Sequence, residues 1–176
     1  MFEKILVAVD CSKSGKRVFT AALAQAKANN ARLMVLHVLS PDEEGCPDTT
    51  GLLNTYYYPG TNSETAEHCH RIWEQFVQQG LAMVQAYAAE ATAAGIRAES
   101  TQKPGSLGQT ICEVACDWDA DLIVIGRRGH SGLSELLLGS VSDFVIHRAH
   151  CSVLTVQSQA KISQQPAPHQ EAARLL

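Results

Sequence analysis

A chain of 176 residues is long enough for one domain and short for two. At that length about 70% of the unfolded surface can be buried, so the core needs no metal or disulfide staples. Hydrophobic residues at 45% and charged residues at 18% exclude a disordered chain, and a formal net charge of −4 excludes the basic excess that a nucleic-acid surface needs. No apolar run approaches the ~18 residues of a membrane span. Met1 to Lys4 lead into the apolar run Ile5 to Val9, too short for the core of a signal peptide. The expectation is a cytoplasmic protein with neither membrane nor nucleic acid as partner.

Ile5 to Val9 is β-rich and apolar at every position, as in a strand covered on both faces, and it ends at Asp10. Ser12 or Ser14 is placed to cap a helix in which Val18, Ala22 and Ala26 recur every four residues. Arg32 to Leu39 reads as a second strand, stopped by Pro41. Residues 41–63 are polar and turn-rich and form a long loop carrying Tyr56, Tyr57 and Tyr58. From Glu64 to Ala94 the spacing of Ile72, Trp73, Phe76, Val77, Leu81 and Val84 predicts a helix, stopped by Gly95. Ile96 to Thr101 is a weaker, peripheral strand, and Pro104-Gly105 turns the chain. Ser106 is placed to cap a helix carrying Leu107, Ile111, Val114 and Ala115. Asp121 to Gly126 repeats the signature of the first strand. A glycine-containing loop, a helix from Ser140 to Ala149 and a last strand, Ser152 to Val156, complete the series.

Strand and helix alternate throughout. The fold class is therefore α/β: a single open, mostly parallel five-stranded sheet with helices on both faces. The tail from Gln157, with Pro166 and Pro168, offers little that could pack and is expected to be disordered over 158–176, leaving a domain at 1–157.

Six cysteines are scattered along the chain with no CxxC. Cys112 and Cys116 lie four apart, one face of a helix, and read as two small buried hydrophobes. His68-Cys69-His70 and His147-x-x-His150-Cys151 invite a zinc reading, but adjacent helical residues point to different faces and a fourth ligand is lacking.

In an open parallel sheet, ligands bind beyond the carboxyl ends of strands where the winding reverses. Asp10 and Gly126 stand at two such ends. After Gly126 come Arg127, Arg128, Gly129, His130 and, later, Gly139-Ser140-Val141-Ser142. These glycines allow close backbone approach, and Gly139-Ser140-Val141 offers free N–H groups at a helix start, a site for an anion. Arg127 and Arg128 bring positive charge, whereas His130 reads as a bystander. Other nucleotide and catalytic signatures fail. Gly15-Lys16 lacks the rest of a P-loop, no G-x-G-x-x-G follows the first strand, and no G-x-S-x-G elbow is present.

Gly126-x2-Gly129-x9-Gly139-Ser140 resembles the nucleotide-binding motif of the universal stress protein family, ATP-binding branch. With glycine near 7% of residues, the pattern arises by chance in such a chain about once in a hundred. Ile5 to Asp10, His37-Val38 and Cys151 to Val156 are similar to the same family, so the resemblance covers residues 2 to 157.

The resemblance implies a Rossmann-like fold of the adenine nucleotide alpha hydrolase-like type. It also implies a stress-response regulatory module that binds ATP or AMP and acts through ligand-dependent state or partner choice. Position by position, Ala8, Val9 and Asp10 would line the adenine and ribose side, with Asp10 able to hold Mg²⁺ near the phosphates. Val38 would meet adenine through its backbone. Ile125, Gly126, Arg128, Gly129, Gly139, Ser140, Val141 and Ser142 would surround ribose and phosphates. No catalytic residue is assigned, and a slow ATP hydrolase or a nucleotide-independent interaction module stand as alternatives. Two departures are Cys11, where the family commonly has Gly, and Ser152, where it commonly has Pro. A homodimer paired through Val153, Leu154 and Val156 of the last strand is a further implication, beside an unidentified protein partner.

Overall fold

The computed structural model describes residues 1–12, 14–41, 43, 46–47, 63–127 and 139–157, with side chains of the long helix from residue 67 onward. The loop tyrosines, Arg128, Gly129, His130 and the tail lie outside the described residues. Among the described residues nine elements alternate: β1 (Lys4–Ala8), α1 (Gly15–Asn29), β2 (Arg32–Leu39), α2 (Ser63–Ala93), β3 (Ala98–Pro104), α3 (Leu107–Asp117), β4 (Leu122–Arg127), α4 (Ser140–Arg148) and β5 (Ser152–Gln157).

The strands form one five-stranded sheet in the order β3-β2-β1-β4-β5. Every pairing is parallel, with Val7 beside Val35 on one side and Val124 on the other. Because side chains alternate across a strand, each central strand supplies both layers of the core. Ile5, Val7, Leu33, Val35, Leu122 and Val124 face one layer with Val18, Phe19, Ala22 and Ala26 of α1 and Val84 and Ala91 of α2. Leu6, Met34, Leu36, Val38, Ile123 and Ile125 face the other, against Ile111, Val114 and Ala115 of α3 and Val145 of α4. An unbroken apolar run in β1 is thus what covering on both faces demands. Among the described residues, no helix is long and apolar enough to cross a membrane.

Three expectations need correction. Ser14 and Ser106 do occupy the N-cap positions of α1 and α3, but neither side chain bonds its helix. Ser14 Oγ instead meets Ser12 Oγ at 2.6 Å, a turn-forming contact that competes with capping. β3 runs through Pro104 rather than ending at Thr101, because it is an edge strand, where a missing N–H is tolerated. Cys116 is exposed and Cys112 only half-buried. The buried stripe of α3 runs through Gly108, Ile111, Val114 and Ala115, and these cysteines lie at its margin.

Candidate functional site

The connections leaving β1 and β4 run to opposite sides of the sheet, and a cavity of about 520 Å³ opens beyond their carboxyl ends. That volume lies within the range of small-molecule sites. Strand ends contribute Ala8, Val9 and Asp10 from β1 and its exit, Val38 from β2, and Ile125 and Gly126 from β4. Three helix N-termini close the remaining sides. Ser14, Gly15 and Val18 come from α1, Ser106, Leu107, Gly108 and Ile111 from α3, and Gly139, Ser140, Val141, Ser142 and Phe144 from α4. Parallel strands feed their helices from the same edge, so helix N-termini gather there as a consequence of topology.

Apolar and polar groups occupy different parts of this cleft. Val38 and Ile125 are almost fully buried and make an apolar floor. At one rim stands the Asp10 carboxylate, whose Oδ1 accepts hydrogen bonds from the Ser12 backbone N–H at 3.0 Å and from the Ser12 hydroxyl. Asp10 therefore closes a turn on itself. The chain beyond it is packed without slack: a Cβ on Gly15 would stand 2.3 Å from the Asp10 carbonyl oxygen.

At the facing rim, Gly139 takes an extended conformation before α4. The first N–H groups of that helix have no partner in their own turn. Ser142 is buried and donates its hydroxyl to the Gly139 carbonyl at 2.8 Å, which fixes the first turn. Ser140 is exposed. An apolar floor between one carboxylate and a set of backbone donors can hold a flat, apolar ring at its centre, hydroxyls at one rim and an anion at the other.

The structure brings together every assigned residue that it describes: Ala8, Val9, Asp10, Val38, Ile125, Gly126, Gly139, Ser140, Val141 and Ser142 all line this cavity. Arg127 ends β4 opposite Gln157 and does not line it. Sequence reasoning missed the N-termini of α1 and α3. At Gly108 a Cβ would lie 2.6 Å from the Phe144 ring, a pairing that only the packed structure reveals.

Beneath the β1 exit lies a second polar group. His37 Nε2 is 2.9 Å from both carboxylate oxygens of Glu43, and both side chains are buried. The Cys11 backbone N–H donates to Glu43 Oε1 at 3.3 Å. Burial, then the charges of Glu43 and Asp10, push the Cys11 thiol up to about 11.

Comparison with known proteins agrees with this architecture. The model of the universal stress protein family matches residues 1–157. The universal stress protein Sll1388 of Synechocystis is 34% identical over 160 residues, covering 89% of this chain and 98% of the relative. YxiE of Bacillus subtilis is 34% identical over 158 residues, covering 89% of this chain and all of that one. Among solved structures, the UspA protein of Lactobacillus plantarum superposes with a TM-score of 0.66 at 20% identity, over 88% of this chain and 97% of the other. A universal stress protein in complex with cAMP gives a TM-score of 0.59 at 26% identity, over 88% of this chain and 97% of the other.

Proposed function

The chain belongs to the universal stress protein family, and from that premise we propose that its cleft binds an adenine nucleotide, ATP or AMP. The observation that carries this reading is the convergence of Asp10, Val38, Gly126, Gly139 and Ser140 on one cavity. They come from four separate stretches of chain. The chemistry is divided as such a ligand requires. Adenine suits the floor of Val38 and Ile125, ribose hydroxyls suit Asp10, and phosphate oxygens suit the N–H groups from Ser140 onward. Arg128 and Gly129 complete the proposed phosphate side. The relative solved with cAMP supports adenine as the base.

Where Mg²⁺ accompanies the nucleotide, Asp10 is the carboxylate in the cleft able to share it. The protein then acts as a stress-response regulatory module, exposing one state or partner surface with nucleotide and another without. The ligand class suits the cytoplasm. We further propose a domain over 1–157 and a homodimer through β5, whose outer edge has no neighbouring strand among the described residues.

The test is mass spectrometry of small molecules released by denaturing freshly purified protein, with calorimetric titration of ATP, AMP and cyclic AMP in the presence of Mg²⁺. A near-stoichiometric adenine nucleotide, or saturable binding of one titrant, is the expected result. An empty protein that ignores all three would reject the proposal and leave an interaction module.

A further inference from the structure

We propose that Cys11, His37 and Glu43 form a binding site for a divalent transition-metal ion, with zinc the best-matched class. The Cys11 thiol, a ring nitrogen of His37 and a carboxylate oxygen of Glu43 all lie within 4.8 Å of one another. Thiolate, imidazole and carboxylate are the three donor types that zinc takes, and three protein ligands leave a fourth position for water or another ligand. Ordinary zinc bond lengths in a tetrahedron put donors about 3.3–3.6 Å apart. His37 and Glu43, now hydrogen-bonded at 2.9 Å, need to part only slightly, and the thiol needs to approach by about 1.3 Å at most.

The site is distinct from the nucleotide cleft. Val38 points toward α3 and α4, so His37, its neighbour along β2, points to the opposite face, where its ring meets Phe76 of α2. His37 and Glu43 are buried, whereas Cys11 is half-buried, which leaves an approach for an ion on the thiol side. The negative field of Glu43 and Asp10 that disfavours a lone Cys11 thiolate is the field that attracts a cation.

Hydrogen bonds at both nitrogens fix the orientation of the His37 ring. Gln102 Nε2 lies 2.9 Å from His37 Nδ1 and donates to the Val77 carbonyl at 3.1 Å. The amide nitrogen therefore faces Nδ1 as a donor, which puts the ring proton on Nε2, toward Glu43. A metal on Nε2 moves that proton to Nδ1, and the Gln102 side chain must then rotate off the Val77 carbonyl so that its oxygen accepts the proton without facing a second oxygen. The Val77 carbonyl, inside α2, keeps its helical partner through this exchange. Metal ligands of this kind are regularly oriented by such an outer hydrogen bond.

The experiment uses the full chain, reduced, stripped of metal and nucleotide, and titrated with Co²⁺. A thiolate-to-cobalt charge-transfer band should saturate at one equivalent. Cys11→Ala and the nearly isosteric Cys11→Ser should abolish it, Glu43→Gln should weaken binding by at least about tenfold, and Cys69→Ala should change neither. Zn²⁺ should displace the cobalt and raise the melting temperature of the parent protein but not of Cys11→Ser. A parent protein without the band, or a band that survives both Cys11 substitutions, would overturn the site. Because no nucleotide is present, neither result bears on the proposed cleft.

Discussion

Gly80 and His37 occupy one space: a Cβ built on Gly80 would lie 2.4 Å from both Nδ1 and Cε1 of the imidazole. A glycine inside a 31-residue helix costs about 1 kcal/mol relative to alanine. Here the ring needs that room. It cannot yield cheaply, since Glu43 holds one of its nitrogens and Gln102 the other. Overpacking of this kind costs about 1–3 kcal/mol, so it should outweigh the gain in propensity. Gly80→Ala should therefore lower the urea midpoint, against the usual direction for an interior helix position. A more stable variant would show that the ring has somewhere to go.

Gly15→Ala should injure the cleft directly. The added Cβ would meet the Asp10 backbone oxygen at 2.3 Å, and a carbonyl cannot swing aside as a side-chain tip can. We expect a loss of stability above about 1 kcal/mol together with weakened nucleotide binding. Gly95→Ala is the control. Its φ of +84° makes alanine strained by about 1–2 kcal/mol, but nothing lies within 4 Å of the new atom. Calorimetry should find its nucleotide affinity unchanged.

Asp10→Ala and Gly139→Val test the two rims separately. Losing a charged acceptor for ligand hydroxyls should cost about 1.5–3 kcal/mol, a factor of roughly ten to a hundred in affinity. Valine at position 139 brings a branched side chain into the cleft lining at the start of α4, beside the backbone donors. Adenine-nucleotide titration of both variants decides the matter, and affinities equal to the parent's in each would exclude this cleft as the site.

Thiol labelling should follow burial. Burial raises Cys11, Cys112 and Cys151 above the ordinary thiol value of 9.0, Cys11 to about 11, and a raised pKa leaves less thiolate at any given pH. In metal-free protein at pH 8, alkylation mapped by mass spectrometry should therefore reach exposed Cys116 first. The lag of Cys11 should close as pH approaches 11. The linkage runs the same way. A thiol that ionises at 9.0 when unfolded and near 11 when folded leaves stability intact below pH 9 and lowers it as pH climbs between the two values.

The edge strand supplies a fifth test. Leu154 and Val156 lean on the α1 layer and Val153 on the other, so β5 is apolar on both sides yet bonded to one neighbour, β4. Sedimentation velocity at tens of micromolar should show a dimer. Val156→Lys should shift it toward monomer without abolishing nucleotide binding.

Much of this architecture was legible because burial on two faces leaves a plain mark. Ile5 to Val9 and Leu122 to Ile125 are apolar at successive positions, as only a covered strand can be. The rims at Asp10 and Gly139 were legible through glycine and acid placed at strand and helix ends. Less visible were contacts between distant stretches. Gly108 against Phe144, and Glu43 returning from the loop to His37, depend on how layers pack, and spacing along the chain carries no trace of either. The Ser14 cap failed for a local reason, since Ser12 engages both Asp10 and Ser14.

The reversal of winding between β1 and β4 also has a meaning for synthesis. One rim of the cleft comes from residues 8–18 and the other from residues 139–144, so the first leaves the ribosome well before the second. An incomplete chain carries no cleft. A nucleotide that binds only the finished form stabilises it by mass action, so ligand abundance would bias how many newly made chains persist.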